Sequence, residues 1–203
     1  MKHTAKLLVL GLGLAASAQA GVYTVDPAAS KLEITVGKVG FFSRFGHVHH
    51  VFAHDLAGAV RAAPGHPERS GVELSIPSAG LTVNDEDLSE KDRKTVQEHM
   101  DEKPVLWVEN FPAIKFVSSE VQLSGGAKGA YDVKVHGRLS LRGVEHELDL
   151  PLKVTIKGDV LEATGETTLK QTDFGITPNK IALGTVAVKD ELTVAYRIVA
   201  RSR

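Results

Sequence analysis

Four of the nine histidines fall within the stretch Phe45-Gly46-His47-Val48-His49-His50-Val51-Phe52-Ala53-His54. Imidazole ligates metals, acts as a general base and titrates near neutrality, so this stretch is the first place to look for chemistry. If the chain is extended here, His47 and His49 share one face, while His50 and His54 share the other. Two imidazoles at i and i+2 can reach one zinc or copper ion when a carboxylate or a third histidine completes the set. A bulge near Gly46 would regroup all four. The same residues also suit a polar strand end that holds no metal, or a mouth whose opening responds to pH.

Other chemistries lack their residues. There are no cysteines, which removes disulfides, thiolate zinc sites, cysteine nucleophiles and thiol redox reactions. Serine, histidine and aspartate all occur, but no Gly-x-Ser-x-Gly elbow presents a nucleophile, and no Gly-rich phosphate or dinucleotide loop is present. His136 and His146 alternate with apolar residues and read as solvent-facing. No catalysis is expected. Lys+Arg number 24 against Asp+Glu 25, a formal charge of −1. Residues 1–20 contribute Lys2 and Lys6 and no acid, so the remainder is slightly more acidic. That balance argues against nucleic-acid binding driven by bulk positive charge. A content of 42% hydrophobic and 24% charged residues is ordinary for a folded domain, and 203 residues suffice for one core.

The first twenty residues have the order of an export signal: a lysine-bearing start, an apolar run from Leu7 to Ala16, then Ala18-Gln19-Ala20 as a cleavage site. The apolar run is too short to span a bilayer, and no later stretch is longer. Gly21 follows the cut where lipidation would need a cysteine. The expectation is cleavage after residue 20, periplasmic location, and one domain over 21–203.

That domain must be built mostly of strands. Leu32, Ile34 and Val36 alternate with polar residues, as do Val72, Leu74 and Ile76. So do Val133, Val135, Leu139 and Leu141, and the longest run, Leu148, Leu150, Leu152, Val154 and Ile156. Val186, Val188, Leu192, Val194, Tyr196 and Ile198 form the last. One wet face and one dry face is the pattern of antiparallel sheets. Turns are expected at Pro64-Gly65, Gly125-Gly126, Arg142-Gly143, Gly158-Asp159 and Pro178-Asn179. One helix is expected over Asp85–Asp101, with Asn84 as N-cap and a thin apolar stripe of Leu88, Val96 and Met100. So charged a helix belongs across a surface or a barrel mouth. About eight such strands can close into a barrel or form a two-sheet sandwich, and periodicity does not separate the two.

Several segments, in order, resemble the YceI-like family of exported lipid-binding proteins. They are Tyr23-Thr24-Val25-Asp26-Pro27 with Ser30, Ser70-Gly71-Val72-Glu73-Leu74-Ser75-Ile76, Asn110-Phe111-Pro112-Ala113-Ile114-Lys115-Phe116, Gly137-Arg138-Leu139-Ser140-Leu141-Arg142-Gly143-Val144, and Asp173-Phe174-Gly175-Ile176 before the last strand. The resemblance covers nearly all of residues 22–199. It implies an all-β fold, an antiparallel lipocalin-like barrel of about eight strands with one main helix, enclosing an apolar tunnel. The implied ligand is a long-chain isoprenoid or quinone-like lipid, with no cofactor required.

On that reading the candidate lipid contacts are Phe45, Phe52, Trp107, Phe116, Val135, Leu139, Leu150, Leu152, Val154, Phe174, Leu192, Val194 and Tyr196. The candidate metal ligands, for zinc or copper, are His47, His49, His50 and His54. Transient membrane contact and a homodimer are both compatible with it. The metal-dependent alternative departs from the resemblance, because the crowded histidines are the least family-like feature of the chain.

Overall fold

Long segments with one apolar face gain most by joining edge to edge until that face is enclosed. The computed structural model describes residues 20–39, 48–127, 129–178, 180–181 and 186–202. Its first half contains β1 (Gly21–Val25), β2 (Lys31–Val39), β3 (His49–Ala53), β4 (Ala57–Ala62), β5 (Gly71–Pro77), β6 (Leu81–Val83) and helix α1 (Glu90–Asp101). Its second half contains β7 (Ala113–Ala127), β8 (Ala130–Leu141), β9 (Val144–Lys157), β10 (Val160–Lys170), β11 (Lys180–Ile181) and β12 (Val186–Ser202). The ring runs β1-β4-β5-β7-β8-β9-β10-β12 and closes where Tyr23 and Val25 of β1 face Ser202 and Ala200 of β12. Among the described residues it is an eight-strand closed antiparallel barrel with one α-helix, not a sandwich.

Three of the eight wall strands are composite. β1 runs into β2, β3 into β4 and β5 into β6, each across a short break, and β2, β3 and β6 continue the wall from β12. Side chains and stray backbone groups occupy the breaks. At residues 26–30, Ser30 Oγ accepts from the Val199 N–H at 3.0 Å and donates to the Asp26 carbonyl at 2.8 Å. The hydroxyl thus replaces the missing ladder partner of β12. At the second and third breaks the His54 N–H donates to the Gly80 carbonyl at 2.8 Å. Ser78 Oγ donates to the Phe111 carbonyl at 2.6 Å. Broken strands bend more sharply than continuous ones, so a narrow ring can close around them.

The second half of the wall is a meander on tight turns. Arg142 and Gly143 form the two-residue turn from β8 to β9 with φ of 53° and 74°, and an arginine in that conformation needs holding. Its guanidinium donates to the Gly175 carbonyl and, at 2.7 Å, to the Lys103 carbonyl, tying three connections together. Gly158 and Asp159 make the expected hairpin between β9 and β10. The expected turn at Gly125-Gly126 is absent. β7 continues through both residues, which face Asp132 and Tyr131, and a register shift beside Leu123 absorbs the glycines. One ladder is incomplete: β9 and β10 pair from Lys157↔Val160 to Lys153↔Thr164 and stop, short of Pro151, which has no N–H to donate. Pro178 lies outside any strand, and Asn179 falls outside the described residues.

The helix starts later than the expected Asp85. Ser89 is its N-cap, accepting from the Asp92 N–H at 3.1 Å, and α1 begins at Glu90. Residues 84 and 85 are committed elsewhere: the Asn84 N–H donates to the His50 carbonyl, and the Asp85 side chain is buried against β3. Across the barrel end, α1 meets β6, which lacks β7 as a partner. Gln97 takes that role, its Oε1 accepting from the Val83 N–H at 2.8 Å and its Nε2 donating to the Leu81 carbonyl at 3.0 Å. Among the described residues no helix is long and apolar enough to cross a membrane. A Gln97→Ala variant strands both backbone groups of β6 and is expected to lose about 1–3 kcal/mol of stability, measured by urea unfolding.

Candidate functional site

The dry faces do not fill the barrel. An inner chamber of about 200 Å³ lies between the β7–β10 meander and β4, β5 and β12, and an outer chamber of about 750 Å³ lies beneath α1. Leu32, Ile76, Ile114, Leu139, Leu169 and Val194 line both, so the two adjoin across an apolar waist along the barrel.

Most of the residues expected from alternation reach this wall. Phe116, Val135, Leu150, Leu152, Val154 and Tyr196 line the inner chamber, Leu192 lines the outer one, and Leu139 and Val194 line both. Phe116 finds room because Gly137 of β8 lies against it; a Cβ there would sit 2.5 Å from the ring. Three aromatic expectations are corrected. Phe52 is on the outer face of β3, its ring 4.9 Å from Lys31 Nζ, because its neighbour Val51 takes the inward position. Trp107 sits in a turn with φ of 50°, edge-on to Phe111 at 5.6 Å and under Lys103 Nζ. Phe174 is only 2% exposed but packs beside the His146 ring at 5.9 Å, outside the tunnel. Phe45 lies outside the described residues. Leu88, Val96 and Met100 are wall residues that the aromatic and strand patterns passed over. Val96 and Met100 lie on α1 and Leu88 just before it, and their helical spacing was the available signal.

Tyr196 of β12 is a half-buried polar residue on the inner chamber's wall. Its ring passes over Gly165, where a Cβ would lie 2.7 Å from it, and its hydroxyl donates to the Pro151 carbonyl at 3.3 Å. That contact bridges β12 to β9 at the level where the β9–β10 ladder has ended. Burial pushes the phenol up to about 12, and the Glu166 charge acts in the same direction.

The histidines disperse. His49 turns inward onto the outer chamber and places Nδ1 2.5 Å from Asp85 Oδ2. Asp85 is 1% exposed, and its Oδ1 accepts from the His50 N–H at 2.6 Å. His50 Nδ1 faces outward to Glu33 Oε1 at 3.1 Å, and Lys31 first and His50 second hold the Glu33 carboxyl below its usual range. His54 Nε2 meets Thr82 Oγ1 at 2.8 Å. His47 lies outside the described residues. Among the described residues no group of three or more His, Asp or Glu side chains is placed to hold a metal. The expected zinc or copper site is not supported among the described residues: His49 and His50 turn to opposite faces, as alternation predicts, and each takes its own partner.

The Tyr196 environment has a measurable consequence. The folded protein keeps a proton that the unfolded chain releases near pH 10, so the stability from this residue is present below that pH and declines towards pH 12. The difference between the alkaline absorbance titrations of wild type and Tyr196→Phe is expected to show one phenolate appearing near pH 12. An ordinary midpoint would place the hydroxyl in water.

Comparison with known proteins follows the same architecture. The model of the YceI-like domain matches residues 23–200. A UPF0312 protein of Pseudomonas savastanoi pv. phaseolicola is 28% identical over 188 residues, covering 87% of this chain and 88% of the relative. A UPF0312 protein of Pseudomonas syringae pv. tomato matches to the same extent. Among solved structures, Burkholderia cenocepacia BcnA superposes with a TM-score of 0.69 at 21% identity, over 87% of this chain and 99% of that one. A polyisoprenoid binding domain from Saccharophagus degradans, implicated in plant cell wall breakdown, gives 0.64 at 15% identity, over 89% and 98%. The match of nearly the whole barrel, from β1 through most of β12, establishes that this chain belongs to the YceI-like family.

Proposed function

We propose that this protein binds a long-chain isoprenoid or a similarly long amphipathic lipid within the tunnel and carries it outside the cytoplasm, without catalysing a reaction. The observation that carries this reading is the placing of two apolar chambers end to end across a shared apolar waist, which suits a long chain rather than a compact ligand. Each methylene withdrawn from water into such a wall contributes about 0.8 kcal/mol, so the affinity of an extended tail accumulates along its length. The polyisoprenoid binding domain of similar fold supports the choice of tail. The signal-like order of residues 1–20 supports export, with cleavage after Ala20 and the carrier working in the periplasm.

Organic extraction of protein purified from its own host, followed by mass spectrometry, is expected to yield a stoichiometric long-chain isoprenoid. Leu150→Asp, which places a lone carboxylate in the inner chamber, is expected to abolish uptake while leaving a folded barrel. Undiminished lipid content in the folded variant places the ligand elsewhere. The intact mass of the exported protein is expected to begin at Gly21, and a mass that retains residues 1–20 removes the export half of the proposal.

A further inference from the structure

The two chambers differ in polarity. The inner one is walled mainly by aliphatic side chains, with Arg61, Ser70, Tyr131, Thr167 and Tyr196 as its polar members; of these, Ser70 Oγ accepts from the Ala63 N–H and Tyr196 donates to the Pro151 carbonyl. The outer chamber carries Lys38, His49, Asp92, Thr95, His99, Gln171 and Thr177 among its apolar residues. Asp92 is occupied with Ser89, Thr95 with the Lys91 carbonyl and Gln171 with the Lys189 carbonyl, and Lys38 too is engaged within the protein. An amphipathic ligand placed tail inward therefore brings its polar end under α1.

His49 is set apart there by what stands behind it. Asp85 does not line the cavity, has no exposed side-chain surface, and is fixed by the His50 N–H. Its second oxygen holds Nδ1 of His49. A carboxylate accepting at Nδ1 selects the tautomer with hydrogen on that nitrogen and leaves the Nε2 lone pair as the imidazole's remaining polar atom. No partner for Nε2 is present among the described residues. The ring is thus fixed in orientation, on the cavity wall, with an acceptor to offer.

We propose that His49, positioned by Asp85, is the polar anchor of the tunnel, and that it selects an isoprenoid ending in a hydroxyl whose O–H donates to Nε2. This rests on the tunnel reading above and adds the ligand's orientation and terminal group. Asp85 is a positioning residue, and His49 is the contact.

The test uses the delipidated mature protein and two probes, geranylgeraniol and its methyl ether, which share a tail but differ in possessing an O–H. Calorimetric titration is expected to show the alcohol binding about fivefold more tightly than the ether to wild type. In His49→Phe the two probes are expected to bind equally, with the ether's affinity unchanged. Asp85→Asn donates an amide hydrogen to Nδ1 and moves the ring hydrogen to Nε2, so it is expected to bring the ether's affinity up to that of the alcohol. Equal binding of both probes by wild type overturns the anchor and leaves the tunnel intact. So does a preference that persists in His49→Phe, or one lost only in Arg61→Ala at the inner chamber's wall. If wild type binds neither probe, the tunnel reading itself fails, and the anchor with it.

Discussion

The pairing of β12 with its neighbours is the constraint from which the rest of the barrel follows. One edge of β12 is committed along the whole of β10, from Val160↔Arg201 to Lys170↔Glu191. The other edge must accept two strands in succession, β1 at its end and β2 along most of its length. A chain cannot pass from β1 to β2 in strict register while following a ring this narrow, so it breaks at 26–30. The break costs β12 a partner at Val199, which Ser30 restores. It also propagates: each next strand is interrupted opposite the one before, at 54–56 and at 78–80. The last interruption separates β5, which meets β7, from β6, which meets Gln97. The position of the helix is therefore a distant consequence of how the ring closes.

Period two in the sequence made the strands and their dry faces legible, because side-chain direction in a strand depends on the strand alone. Leu150, Leu152 and Val154 needed no partner to be placed on one face, and the tunnel wall confirms their orientation. The start of the helix was not legible. Asn84 and Asp85 have the composition of a helix N-terminus, but Asp85 is held by a strand 36 residues earlier in the chain, and no local rule anticipates that contact. The aromatics failed for a related reason. Trp107 and Phe174 belong to connections without periodicity, so their surroundings are set by whichever elements the connections cover. The histidine cluster looked like one feature in sequence and became three separate contacts once alternation and the break at residue 54 were imposed.

Polarity within the tunnel arises from the same division of labour. The meander of β7 to β10 is continuous in sequence, and its long alternating runs give an interior almost without polar atoms. The outer chamber is assembled from the composite strands, α1 and the residues before β11, and the irregular backbone there brings polar side chains with it. The interior thus carries more polar side chains towards α1 than towards the far end of the meander.

The incomplete ladder between β9 and β10 gives the wall a seam. Beyond Lys153↔Thr164 the two strands are joined through their other neighbours and by the contact of Tyr196 with Pro151, rather than by backbone bonds to each other. A cylinder laced all round can widen only by breaking rungs, whereas one with an unlaced stretch can flex there like a split collar while every other ladder stays intact. The barrel's compliance is therefore directional: stiff along β7, β8 and the β10–β12 pair, and soft across the line between Leu150 and Leu169. A chain passing through the bore would meet a wall that yields along that line.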